Sequence, residues 1–248
     1  MKKLSNVTLV GIDCVDVERI QKALDISSKD IQFAEVKLLT SLSTDDVRKV
    51  EIPPINTVEE FSEFCIKDLH KYVDTDYVLL VQHDGFILNL ESWEDEFLQY
   101  DYIGAPWFIY EEFWFELFDL PRELFDTLVV GNGGFSLRSK KFLEKSAELA
   151  NKNIFKKYHP EDLMLCVWNR KEMEEVGIKF APADVAARFS VEGDYRDLLN
   201  AKLAPYDKQF GFHGLKWTDI SKWIEQNPQY GIVNDLRINK IKKNEESI

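Results

Sequence analysis

Two short apolar runs, residues 7–12 and 77–81, punctuate the first third of the chain. Runs this short, without polar alternation, suit strands covered on both faces of a sheet. Between them, residues 15–24 carry Val17, Ile20 and Leu24 at helical spacing, and residues 31–39 are rich in β-branched side chains, a strand signal. Pro53 and Pro54 mark a loop. After it, Asn56 or Thr57 can cap a helix with Val58, Phe61, Phe64, Cys65 and Leu69 on one face. Strand, helix, strand, helix, strand predicts a parallel sheet with right-handed crossovers. The second half is less regular. Residues 93–100, 140–150 and 161–175 read as helices; residues 135–137, 178–181 and 206–212 read as strands. The aromatic, acidic stretch 107–125 reads first as an amphipathic helix packed on the core, with a mobile lid or a homo-oligomer contact as the other readings. No repeat or low-complexity linker interrupts residues 1–239, which are expected to form one domain; residues 240–248 form a charged tail expected to fray.

With 248 residues the chain can bury the core of one α/β domain. Its net charge of −13 repels phosphate backbones, which argues against nucleic acid as a partner. It also means that a nucleotide ligand would need a metal or a few placed cations. The cysteines, Cys14, Cys65 and Cys166, are scattered and odd in number, so they read as small core residues in a reducing compartment. Lys2 and Lys3 precede an apolar run too short for a signal peptide, and no run approaches the roughly 20 residues of a membrane span. The expected location is cytoplasmic.

Ligands of open α/β sheets bind beyond the carboxyl ends of the strands. The run 77–81 ends there in Gln82-His83-Asp84-Gly85. Asp84 would supply a hard oxygen to Mg²⁺ or Mn²⁺, and the cation would hold a diphosphate; the alternative is an ordinary polar turn. Gly131, Gly133 and Gly134 strip side chains from the approach to a strand, so their backbone, with the amide of Asn132, could reach sugar hydroxyls. Trp107, behind Ala105-Pro106, offers an aromatic face to a sugar or fills the core. Asp101 either bonds the transferred sugar or fixes its loop. Arg138 and Arg188 are candidates to pair with phosphate or to make structural ion pairs. Asp13, at the end of the first strand, is placed by position to meet a nucleobase.

These segments resemble glycosyltransferases of the GT-A fold, in which an Asp-x-Asp motif ends a central strand. Gln82-His83-Asp84 sits at the matching place, with Gln82 replacing the first acid. The runs Asp101-Tyr102-Ile103-Gly104-Ala105-Pro106-Trp107 and Gly131-Asn132-Gly133-Gly134-Phe135-Ser136-Leu137-Arg138, with Glu161-Asp162 and Phe212-His213-Gly214, resemble an uncharacterised, mainly bacterial GT-A-like family. The resemblance implies a Rossmann-related α/β fold with a mixed, mostly parallel sheet flanked by helices. It implies donor binding through Gln82, His83 and Asp84, a metal held by Asp84 and His213, and Asp162 as the base, with Glu161 as its substitute or an acceptor ligand. The implied activity is metal-dependent, inverting transfer from a nucleotide-diphosphate sugar, a UDP-sugar in the simplest case, to a glycan or glycoconjugate hydroxyl, as in polysaccharide biosynthesis. A non-catalytic binding protein of the same fold and a sugar nucleotidyltransferase are the competing readings. The latter usually has a glycine-rich basic loop after its first strand, where this chain has Asp13-Cys14-Val15-Asp16.

Overall fold

A computed structural model describes residues 1–203, 208–234 and 236. Strand β1 (Lys2–Ile12) leads into helix α1 (Val17–Ser28), and β2 (Ile31–Thr40) returns beside it, followed by the short β3 (Lys49–Glu51). Helix α2 (Val58–Lys67) precedes β4 (Tyr77–Val81). Asp16 caps α1, accepting from Glu18 and Arg19 N–H, and Thr57 caps α2 through Glu60 N–H, so the first turns are closed by the oxygens the sequence supplies there. Then come β5 (Tyr102–Ile103), β6 (Ala105–Ile109), α3 (Glu112–Phe118), β7 (Thr127–Gly131), β8 (Phe135–Ser139) and α4 (Lys140–Asn151). The remainder is α5 (Glu161–Leu163), a wide turn over Met164–Trp168, α6 (Arg170–Glu175), α7 (Ala183–Phe189), β9 (Ser190–Glu192), α8 (Tyr195–Asn200), β10 (Gly211–His213) and α9 (Ser221–Gln226).

The main sheet has the order β3-β2-β1-β4-β8-β5. The first four strands are mutually parallel, while β8 runs antiparallel to β4, and β5 antiparallel to β8. Two ribbons flank it: β6 with β7, antiparallel, and β9 with β10, parallel. Successive side chains of a strand point to opposite faces. Val7, Leu9, Leu79 and Val81 accordingly pack with Ile20 and Leu24 of α1, whereas Val10, Ile12, Val78 and Leu80 pack with Phe64 and Cys65 of α2 and Phe142 of α4. Both faces are sealed, which is why these strands read as continuous apolar runs.

Several expected elements differ. In place of one helix over 93–100 there are two tight turns, Leu90–Ser92 and Asp95–Gln99. Residues 178–181 add only a bridge from Phe180 to Tyr102. The helix over 161–175 is broken by the wide turn and by Asn169. The stretch 107–125 begins as strand β6, and α3 buries only Phe115 while Phe113 and Leu117 stay exposed. The expected strand over 206–212 survives as β10; residues 206 and 207, and the tail at 240–248, lie outside the described residues. Cys65 and Cys166 are buried free thiols, and Cys14 is half-buried. No helix among the described residues is long and apolar enough to cross a membrane.

Leu80 is fully buried between α2 and α4, so Leu80→Ala should lower unfolding free energy by about 2–5 kcal/mol. The same truncation at Val47, which is 99% exposed, should change it by less than about 0.5 kcal/mol. Urea unfolding of the two variants checks both.

Candidate functional site

β1 and β4 are parallel, with Gly11 opposite Val81, so both deliver their carboxyl ends to one edge of the sheet. Immediately beyond β4, Gln82 N–H donates to the Gly134 carbonyl at 2.9 Å. This ties the motif to the start of β8. The chain then turns, and the Asp84 carbonyl accepts from Gly214 N–H at 2.8 Å. That bond brings the end of β10, and with it His213, against Asp84. The close approach needs a glycine: a Cβ on Gly134 would lie 2.1 Å from Nε2 of His213.

His213 therefore sits among acids. Its Nε2 is 3.4 Å from Oδ1 of Asp84 and 3.2 Å from Oε1 of Gln82, and its Nδ1 is 2.6 Å from Oε1 of Glu192. Burial alone would lower the imidazole pKa, but Glu192 and Asp84 outweigh it and raise it to about 10. Burial likewise works to raise the Asp84 carboxyl; His213 and then His83 prevail and hold it at about 2. Oδ1 of Asp84 is buried and makes no close hydrogen bond; its polar neighbours are Nε2 of His213 at 3.4 Å and Nδ1 of His83 at 3.8 Å. His83, 3.8 Å from Asp84, is 42% exposed, and burial with the nearby Arg19 keeps its pKa below the ordinary value.

Asp162 starts α5, with Oδ2 accepting from Gly133 N–H at 2.9 Å and Oδ1 from Leu163 N–H at 2.8 Å. Burial first, then the charges of Glu161 and Glu192, push its carboxyl from 3.8 up to about 7. Trp107, half-buried on β6, packs its ring on the backbone of Gly131 and donates Nε1–H to Oε2 of Glu192 at 2.6 Å. This edge of the sheet thus unites Gln82, His83, Asp84, Trp107, Asp162 and His213 with the Gly133-Gly134 backbone. It adds Glu192, the acid on which His213 and Trp107 converge. Glu192 is not among the candidate residues read from the sequence.

Other expected site residues are committed elsewhere. Arg138 is fully buried and pairs with Glu161 at 2.5 Å, while donating to Ser136 Oγ and the Gly133 carbonyl, so neither Arg138 nor Glu161 faces the crevice. A phosphate role for Arg138 and an acceptor or base role for Glu161 are both overturned by this pair. Arg188 is held by Glu94 and Glu96 at 3.0 and 2.7 Å, which makes it a structural ion pair and not a phosphate ligand. Asp101 accepts from Ser139 Oγ and Lys179 N–H. Ser139 lies opposite Tyr77, the first residue of β4, so Asp101 is at the end of the sheet away from Asp84 and fixes its loop. Asn132, at φ 72°, turns Oδ1 back onto Gly134 and Phe135 N–H. That side-chain oxygen and the Gly133 and Gly134 N–H groups are therefore already engaged and not free for sugar hydroxyls. Asp13 accepts from Val15 and Asp16 N–H and twice from Arg19, a saturated carboxylate that shapes the loop and does not reach a base.

Arg19 is the cation that sequence reasoning missed. It is half-exposed and lies close enough to Asp84 to feel its charge. With Val15, Gln21, Leu42 and Ser43 it lines a hollow of about 790 Å³ beyond β1 and β2. A second hollow of about 410 Å³, between His70 and α4, holds none of the motif residues. No three His, Cys, Asp or Glu side chains among the described residues are grouped to hold a metal by themselves.

Among solved structures, an active-site mutant of LgtC shares the fold with a TM-score of 0.51 at 12% identity, covering 91% of this chain and 97% of that one. The galactosyltransferase LgtC in complex with donor and acceptor sugar analogs gives a TM-score of 0.49 at 14% identity, with 90% and 94% covered. The bifunctional IspDF from Campylobacter jejuni gives 0.45 at 14% identity; this chain is covered to 81% and spans 52% of that protein. The mannosyltransferase PcManGT from Pyrobaculum calidifontis, solved with GDP-Man and Mn²⁺, gives 0.40 at 11% identity, with 73% and 55% covered. The fold is that of GT-A glycosyltransferases, with a mixed α/β arrangement and a mostly parallel central sheet. No curated protein matches by sequence. A family model matches residues 44–213, which include β4, the glycine run, Asp162, Glu192 and His213, and the chain belongs to that family, described as a protein of unknown function (DUF5672).

Proposed function

We propose that this protein is a glycosyltransferase that transfers a sugar from a nucleoside diphosphate donor, a UDP-sugar in the simplest case, to a hydroxyl of a glycan or glycoconjugate. The observation that carries the reading is the unsatisfied, buried Oδ1 of Asp84 facing Nε2 of His213. Within the protein that oxygen has only the long ion pair with His213, so a cation that displaces the imidazole proton would gain both groups as ligands. The set fits Mn²⁺ or Mg²⁺: a carboxylate oxygen, an imidazole nitrogen and the Gln82 amide oxygen face one another, and Glu192 backs the imidazole as the carboxylate behind a ligating histidine does. Asp84 and His213 would hold the cation, and diphosphate oxygens would complete its shell. Bound there, the cation would supply Lewis-acid stabilisation of the leaving diphosphate.

The protein's own residues supply the rest. Arg138 and Arg188 are paired away from this edge; Arg19, itself held by Asp13, keeps its half-exposed guanidinium on the adjoining hollow, where it would meet a phosphate or ribose oxygen of a nucleoside. Trp107 provides an aromatic wall for a sugar's C–H surface. Asp162 takes the proton of the acceptor hydroxyl at a carboxylate oxygen; a base with its pKa near 7 suits that task, and direct attack would invert the anomeric centre.

If this reading holds, a UDP-sugar with Mn²⁺ should raise the melting temperature, by the equivalent of about 2.7 kcal/mol at a hundredfold excess over Kd. Asp84→Asn should abolish the metal-dependent part of the shift. A shift of equal size without metal, or undiminished in Asp84→Asn, would count against it.

Asp162→Asn should lower kcat by about 10²–10⁴-fold. In the wild type, kcat should rise with pH through about 7 as the carboxyl ionises, read from initial rates with the donor that gives the shift. The same carboxyl binds more protons folded than unfolded between its ordinary 3.8 and about 7, so its contribution to stability falls as pH rises through that window. The stability of wild type relative to Asp162→Asn should therefore fall as pH rises from about 4 to about 7, measured by urea unfolding.

A further inference from the structure

Glu192 makes two short contacts with two side chains that come from different parts of the chain. Oε1 lies 2.6 Å from Nδ1 of His213, and Oε2 accepts from Nε1–H of Trp107 at 2.6 Å. The parallel pairing of β9 and β10 sets Glu192 directly opposite His213. The backbone around that pair is pinned as well: Thr218, fully buried, accepts from Gly193 N–H and donates to the His213 carbonyl. Both Glu192 and His213 are largely buried, their side chains 16% and 14% exposed.

We propose that Glu192 is a positioning residue that keeps the hydrogen of the neutral His213 ring on Nδ1 and so leaves Nε2 open towards Asp84, and that Trp107 is the group that forces the carboxylate into this role. The inference rests on the metal-holding role given above to Asp84 and His213, and goes beyond it. An indole nitrogen only donates, so Trp107 must meet an acceptor. A carboxylate has an acceptor for each neighbour: one oxygen takes the indole N–H and the other takes Nδ1–H. A cation binds only the neutral ring, so the proton on Nε2 must leave first; with the remaining hydrogen held on Nδ1 by Glu192, the lone pair of Nε2 then faces Asp84. An amide in place of the carboxylate has one oxygen and one NH₂. With that oxygen held by Trp107, the NH₂ would face Nδ1, and the ring would accept there. Its hydrogen would move to Nε2 and close the face towards Asp84. The fault therefore depends on the indole: without it, the amide oxygen is free to turn to Nδ1–H.

The test is Mn²⁺ binding in the presence of UDP, with free Mn²⁺ counted by electron paramagnetic resonance. It uses the full chain as wild type, D84N, E192Q, W107F and the E192Q/W107F double variant. E192Q is expected to weaken Mn²⁺ binding by about 10–100-fold, the usual effect of losing the partner of a ligating histidine. In the W107F background the same E192Q change is expected to cost no more than about twofold, the limit within which independent effects add. An equal loss in both backgrounds would mean that E192Q merely damages the structure, and would overturn the proposal; so would no loss in either, provided D84N abolishes Mn²⁺ binding. If D84N binds Mn²⁺ as the wild type does, the metal-holding role fails and this inference falls with it.

Discussion

The candidate site depends on how few cations are shared among many acids. Asp84, Glu161, Asp162 and Glu192 gather at one edge of the sheet in a chain already carrying a net charge of −13. Arg138 answers Glu161 in a sealed pair, and His213 answers Asp84 and Glu192 together. Asp162 has backbone N–H partners and no cation of its own; burial, with the charges of Glu161 and Glu192, pushes its carboxyl up to about 7. Each carboxylate thus acquires a different character from its partner: Glu161 is sealed in an ion pair, Asp84 is held ionised beside His213, and Asp162 is pushed up by burial. Environment sets the role, as expected when burial and neighbouring charge act on chemically similar groups.

The sheet makes this arrangement rigid. β4 has Val78, Leu79, Leu80 and Val81 fully buried, so the residues just past its end inherit a fixed position. The glycine run lets two elements pass at backbone distance: Gly134 receives the ring of His213, while Gly133 receives the Glu161 carboxylate behind it. The glycines that resembled a set of sugar-binding donors are instead the spacers that allow the acids and the imidazole to meet.

The sequence made the first half of the fold legible because fully covered strands need long apolar runs. β1, β2 and β4 were read from residues 7–12, 31–39 and 77–81 for that reason. β5 and β9 span only two or three residues, too few to show any period, and their pairing is imposed by distant contacts; β10 keeps only the end of the strand expected over 206–212. In the site, Asp84, Asp162 and His213 were legible through motif position, and the structure brings them to one edge. For Arg138, Arg188 and Asp101 the sequence left a ligand role and a structural role both open, because a charged residue looks the same whether it is free or already paired; the partners Glu161, Glu94, Glu96 and Lys141 become evident only once the chain is folded. Glu192 went unseen because a lone acid at the end of a short strand carries no pattern, although it joins His213 to Trp107.

The central claim is that a divalent cation rests between Asp84 and His213. Anomalous scattering from manganese in crystals grown with Mn²⁺ and UDP tests it most directly. The account predicts a peak in bonding contact with Oδ1 of Asp84 and Nε2 of His213, with diphosphate oxygens on its open side. Manganese bound elsewhere, or UDP bound with the Asp84–His213 contact closed and no metal between them, would contradict it.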